Sequence, residues 1–345
     1  MSPGPSLSSF LWFVDIEIIP CYTSGAKEIV MDKIRIGISS CLLGNPVRYD
    51  GGHKLDRFLR DTLGQYVDYV AVCPEAECGL GVPREAMRLE GNPAAPRLMT
   101  RQTGKDMTDA MIDWARKRLA GLEAENLCGF IFKSDSPSSG MERVKVYDAK
   151  GMPVKTGVGI FARLFMAHFP LLPLEEEGRL HDPELRENFV ERIFTLKRWR
   201  EIATAGAGRG ALVDFHSRHK LLLMSHSLKH YTLMGKLVAD QKKLSLRDLR
   251  LQYEALLMEA LALKTTPKKN VNVLQHMMGY FKKELSVVEK RELLEVLDQY
   301  KAGYLPLIVP LTLISHYVRK YDQPYLREQI YLNPHPLELQ LRNHV

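Results

Sequence analysis

Ile34-Arg35-Ile36-Gly37-Ile38-Ser39-Ser40-Cys41-Leu42-Leu43-Gly44 is a short β-branched run that stops in a small, thiol-bearing loop. The apolar part reads as a buried strand. The same arrangement returns twice. Tyr66 to Val72 reads as a second strand and runs into Cys73-Pro74-Glu75-Ala76-Glu77-Cys78-Gly79-Leu80-Gly81. Gly129-Phe130-Ile131-Phe132-Lys133 reads as a third and ends in Ser134-Asp135-Ser136-Pro137-Ser138-Ser139-Gly140. Helical periodicity at Leu55 to Leu63 and at Thr108 to Ala124 separates the three. Strand, loop and helix in repetition predict an α/β domain with a small, mostly parallel sheet, in which ligands bind outside the carboxyl ends of the strands. All three polar loops fall at those ends.

The rest of the 345-residue chain reads differently. Residues 1–32 read as a leader, expected to be disordered, with Met31 as a candidate start. Residues 33–165 make the α/β domain. The acidic stretch 166–181 reads as a linker, and 182–345 as an all-helical domain with long amphipathic segments from Leu212 to Asp240, Ser245 to Leu263, Asn270 to Lys283 and Val287 to Tyr300. From Phe165 onward 27 Lys and Arg stand against 21 Asp and Glu, a surplus of six in a chain whose net charge is +7. That surplus fits an anionic partner such as a nucleotide or RNA, or else an ordinary solvated helix surface. No apolar run is long enough to span a bilayer. Five cysteines without small-scaffold spacing argue against a disulfide framework and for a reducing, cytoplasmic setting.

Cys41, Cys73 and Cys78 are the candidate metal ligands, since soft thiolates gathered on loops suit an iron–sulfur cluster, with zinc as the alternative. Three thiolates leave one position open for chemistry. Cys128, just before the third strand, reads as buried packing. Glu75 and Glu77 flank the thiols and suit proton transfer; a helix cap or a salt bridge to Arg84 is the structural alternative. Ser136 and Ser138 lie in a hydroxyl-rich loop suited to an anion or a polar base edge. Lys133 and Asp135 read as neighbouring charges. Arg48 and Tyr49 belong to a turn-plus-basic cluster, Arg48 to Lys54, placed to cradle a phosphate. His216, His219, His226 and His230 share one face if their segment is a single helix, as a metal face, a phosphate face or a satisfied polar seam.

These motifs, in this order, resemble the thiouracil desulfidase family. The resemblance rests on Ser39 to Gly44 with Val47-Arg48-Tyr49-Asp50-Gly51, then Cys73-Pro74-Glu75, then Ser136-Pro137-Ser138, and covers about Lys33 to Phe165. The remainder is similar to a helical partner domain of unknown function, through Phe215 to Lys220, Asn270 to Phe281 and Leu305 to Pro310. The resemblance implies an enzyme with a [4Fe-4S] cluster held by three cysteines. Its open iron would accept the sulfur of a thiolated pyrimidine or its nucleotide, without net redox change. It implies acid–base roles for Glu75 and Ser136. The residues themselves suggest Cys41, Cys73 and Cys78 as the metal ligands, with Arg48, Tyr49, Lys133 and Ser138 at the substrate. The family's third motif reads Ser-Pro-Ser-Cys-Gly where this chain has Ser136-Pro137-Ser138-Ser139-Gly140, and Cys78 is the nearby substitute. The competing expectation is a non-catalytic nucleotide- or nucleic-acid-binding protein with a structural or lost metal site.

Overall fold

The computed structural model describes residues 33–204 and 206–344. The expected leader lies outside them. The described part, from Lys33, forms one compact unit.

Strands β1 (Ile34–Ser39) and β2 (Val67–Val72) pair in parallel from Ile34 opposite Val67 to Ser39 opposite Val72. The chain then forms β3 (Met87–Glu90), β4 (Arg97–Thr100) and helix α1 (Thr108–Glu123) before β5 (Gly129–Phe132). Next come β6 (Val144–Tyr147), β7 (Pro153–Gly157), helix α2 (Ile160–His168) and β8 (Leu174–Glu176). The first sheet has the order β2-β1-β5-β8 and is parallel throughout. β1 is buried at nearly every position and β5 at all four, as a sheet covered on both faces requires. Because β2 and β5 lie on opposite sides of β1, the crevice at its carboxyl end is a topological switch point.

Two expectations needed correction. The segment 166–181 is not a linker: β8 within it pairs with β5 and completes the sheet. A second sheet, β4-β3-β6-β7, was not foreseen. Its strands are short and alternate charged with apolar residues, so their signal is weak. It packs a smaller core around Leu89, Leu98, Met111 and Val146.

The helical half comprises α3 (Pro183–Thr204), α4 (Arg209–His226), α5 (Leu228–Ala239), α6 (Leu246–Ala262) and α7 (Pro267–Met278). It ends with α8 (Val287–Lys301), α9 (Ile308–Lys320), the one-turn α10 (Pro324–Arg327) and an irregular tail. Side-chain caps fix several starts: Ser227, Ser245 and Thr266 each accept a backbone N–H three residues on, and Ser286 forms a capping box with Glu289. One hydrophobic core runs from Ile34 to Leu341 through both halves. α3 lies close against the sheet: a Cβ at Gly129 would fall 2.8 Å from Ile193 and 3.4 Å from Phe189. Arg342 in the tail donates to Glu187 and Glu191 of α3, both at 2.8 Å.

The four histidines do not lie on one helix: Ser227 ends α4 after His226, so His230 falls on α5. His216 meets the Tyr253 hydroxyl, His219 the Phe215 carbonyl, His226 Glu191, and His230 Ser227. They are separate, satisfied polar contacts. Burial, with Lys220 adding to it, pulls His216 down to about 4. Burial and then Arg198 hold His219 well below the ordinary imidazole range. Both rings stay neutral in the fold while the unfolded chain takes up protons below pH ~6.5. Stability is therefore full above that pH and falls as pH drops toward 4, by on the order of 3 kcal/mol for His216. Urea midpoints should fall steadily across this window, and less so in His216→Asn; a flat profile would contradict the assignment.

Candidate active site

The carboxyl ends of β1, β2 and β5 surround a cavity of about 480 Å³. It is lined by Cys41, Cys73, Glu75, Lys133, Ser136 and Ser138 among others, and by Arg48 and Tyr49. The convergence read from the sequence therefore exists in space. Five cations line it (Arg48, Lys54, Arg84, Arg101 and Lys133) against the carboxylates of Glu75 and Asp135, so the cavity favours anions.

Cys41 sits in the helical turn that follows β1 and is nearly buried. Its carbonyl accepts the N–H of Lys54 at 2.9 Å, which folds the Arg48–Lys54 loop back over the cavity. Burial pushes its thiol up to about 11, opposed chiefly by Lys133. The Cys73 thiol lies 3.7 Å from the Val47 carbonyl and is also raised by burial. Its backbone N–H donates to Glu77 at 2.8 Å, and Glu77 also pairs with Arg118 at 3.1 Å. Glu77 is a structural cap of this loop.

Glu75 is held at both oxygens. Arg84 donates to Oε2 through Nε at 3.0 Å and through Nη2, while its Nη1 reaches the carbonyls of Val47 and Gly81, each at 3.0 Å. The other oxygen, Oε1, accepts from Ser138 Oγ at 2.9 Å, and Ser138 shares a hydrogen bond of 3.1 Å with Ser136 Oγ. Glu75, Ser138 and Ser136 thus form one hydrogen-bonded chain across two loops. The third loop is rigid because the first N–H groups of α2 are spent on it: Ile160 donates to Pro137 and Phe161 to Ser138. Gly159 lets the two backbones meet, since a Cβ there would lie 2.6 Å from the Ser138 carbonyl.

Lys133 lines the cavity but is tied to Glu177 and, at 3.0 Å, to Ser134. Glu177 also accepts the Ser134 N–H at 2.7 Å. Sequence reasoning missed this residue, because three consecutive glutamates looked like a solvated boundary. Arg48 lies 3.6 Å from Asp50 and over the Tyr49 ring, and both residues stand at the rim. Cys128 is buried near Arg200, away from the cavity.

The expected ligand set is only partly assembled. Cys78 does not line the cavity: it packs with the second core, and its Sγ lies 3.4 Å from the Glu75 carbonyl. Ser139, which stands where the family motif has its cysteine, lines the cavity together with Cys41 and Cys73. The three thiols are not gathered within 4.8 Å, whereas one tetrahedral zinc holds its thiolates about 3.8 Å apart. The two cavity thiols, Cys41 and Cys73, are soft donors of the kind that suit an iron–sulfur group.

Residues 36–177 match the model of the 2-thiouracil desulfurase family, and residues 220–336 match that of a protein family of unknown function, DUF1722. Over 153 residues the chain is 35% identical to the uncharacterized protein YbgA of Escherichia coli (strain K12), covering 44% of this chain and 90% of that one. Over 132 residues it is 30% identical to the uncharacterized protein YbbK of Bacillus subtilis (strain 168), covering 37% and 86%. A solved structure of the [4Fe-4S]-dependent thiouracil desulfidase TudS is 32% identical, with 45% of this chain and 97% of that one covered and a TM-score of 0.37. No helix among the described residues is long and apolar enough to cross a membrane. The chain belongs, through residues 36–177, to the 2-thiouracil desulfurase family, and carries a DUF1722 region behind it.

Proposed function

We propose that the cavity exchanges the sulfur of a thiolated pyrimidine, as the base or its nucleotide, for oxygen. The observation that carries this reading is the chain Glu75–Ser138–Ser136 lying on the same wall as the Cys41 and Cys73 thiols. The exchange consumes one water and releases hydrogen sulfide, so it needs proton transfer and no net oxidant. Cys41, Cys73 and Ser139 would hold the iron–sulfur group, which when bound supplies an open iron for the departing sulfur.

The chain's own residues do the rest. Arg84 fixes Oε2 of Glu75 and leaves Oε1 as the oxygen that takes and returns a proton. Ser138 and Ser136 carry that proton onward. Beside the cavity, and sharing Met87, Arg101, Asp135 and Pro137 with it, lies a recess of about 270 Å³ that also holds Arg88, Lys145 and Lys155. Among the described residues, Arg101, Lys145 and Lys155 make no ion pair, and they suit a nucleotide's phosphate. This favours the second sheet over the helical half as the phosphate contact.

Glu75→Gln keeps the side chain's shape but cannot exchange a proton at neutral pH. It should retain the bound group and lose roughly a hundredfold or more in rate. Sulfide release from 4-thiouracil, 2-thiouracil and their nucleotides measures this. Equal rates for the two proteins would remove Glu75 from the chemistry.

A further inference from the structure

Glu187 and Glu191 stand one turn apart on α3, and both are buried. His335, in the tail after α10, is 7% exposed. One ligand-type atom from each of the three lies within 4.8 Å of the other two. Two buried carboxylates need no further partner where cations satisfy them, and here Arg342 takes Oε1 of both while His226 takes Oε2 of Glu191 at 3.1 Å. Two donor positions stay open. The closest cation to Oε2 of Glu187 is His344, at 3.9 Å. His335 directs Nδ1–H to the Pro336 carbonyl at 3.2 Å, so its lone pair is on Nε2, and Nε2 has no hydrogen-bond partner. A buried, unmet acceptor costs about 1–3 kcal/mol, and native folds keep few of them.

We propose that Glu187, Glu191 and His335 form a site for a divalent transition-metal ion, with zinc the first expectation, in the helical half of the chain. Two carboxylate oxygens and one neutral imidazole nitrogen make a ligand set of borderline hardness that suits such an ion. An imidazole whose other nitrogen donates to a backbone carbonyl is the usual outer-shell arrangement at a metal, and Arg342 orients the carboxylates in the same way. Glu187 and Glu191 also line a small cavity of about 90 Å³ with Thr266, Asn270, Tyr300 and His344. The ion's remaining position would open there and hold an exchangeable water. This site is independent of the sulfur-handling cavity.

The test uses the full-length chain carrying Cys41→Ser and Cys73→Ser, so that the cavity thiols do not compete. After chelation it is titrated with zinc. It should bind about one ion per chain, with a rise in melting temperature. His335→Gln, added to that chain, should weaken binding by at least roughly tenfold, the lower bound for disturbing even an outer shell. The circular dichroism should not change, because Nε2 makes no bond in the metal-free fold. Absence of zinc binding, or equal affinity with His335→Gln, overturns the proposal. Should the doubly substituted chain fail to fold, cobalt(II) is added to the chain with its cysteines intact. Visible bands of a nitrogen–oxygen site that vanish with His335→Gln support the site, and bands that persist overturn it.

Discussion

Cys73→Ala and Cys41→Ala should each yield a protein that folds but assembles no iron–sulfur group. The two thiols stand at the ends of adjacent parallel strands, β1 and β2, and both line the cavity. They are the two cysteines among the residues that line it. With two thiolates in place of three, no spare ligand compensates for a loss, so the effect of either change should be complete. Cys78→Ala should have little effect, because its thiol faces the second core. The brown colour and thiolate-to-iron absorption of anaerobic protein report all three. Loss of the band in Cys78→Ala alone would reverse the assignment and return Cys78 to the ligand set.

Arg342→Ala should cost about 3–5 kcal/mol of stability, the penalty for stranding buried carboxylates by removing their partner. Arg342 is 4% exposed and donates to Glu187 and Glu191, each at 2.8 Å, and to the Tyr331 carbonyl at 2.7 Å. It closes the tail over α3, and α3 in turn covers the sheet. The melting temperature should drop by roughly 5 °C. A loss below about 1 kcal/mol, as for exposed ion pairs, would mean that water reaches the cluster.

The three strand ends were legible because each strand is an unbroken apolar run ended by small polar residues. Their convergence followed from parallel topology alone. β8 was not legible. Glu175, Glu176 and Glu177 have the composition of a linker, yet each meets a partner within the fold: Arg179, the Met141 N–H, and Lys133 with Ser134. The distant pairings of Glu176 and Glu177 leave no local trace. Cys78 was misplaced for a related reason. Its spacing from Cys73 says that the two share a loop, but which side of that loop a thiol faces depends on the backbone of the turn Ala76–Leu80. Arg84 was named only as a possible partner of Glu75. Its further hold on Val47 and Gly81 depends on three loops meeting. The histidine spacing suggested one face, and the single capping hydroxyl of Ser227 was enough to break it.

Iron and acid-labile sulfide content of the full-length protein, purified without oxygen, tests the central claim most directly. The account predicts about four irons with matching sulfide per chain, lost together in Cys73→Ala. Iron-free protein, or protein whose N-terminal cavity holds only zinc through Cys41 and Cys73, would contradict it. That result would leave a nucleotide-binding cavity without sulfur chemistry.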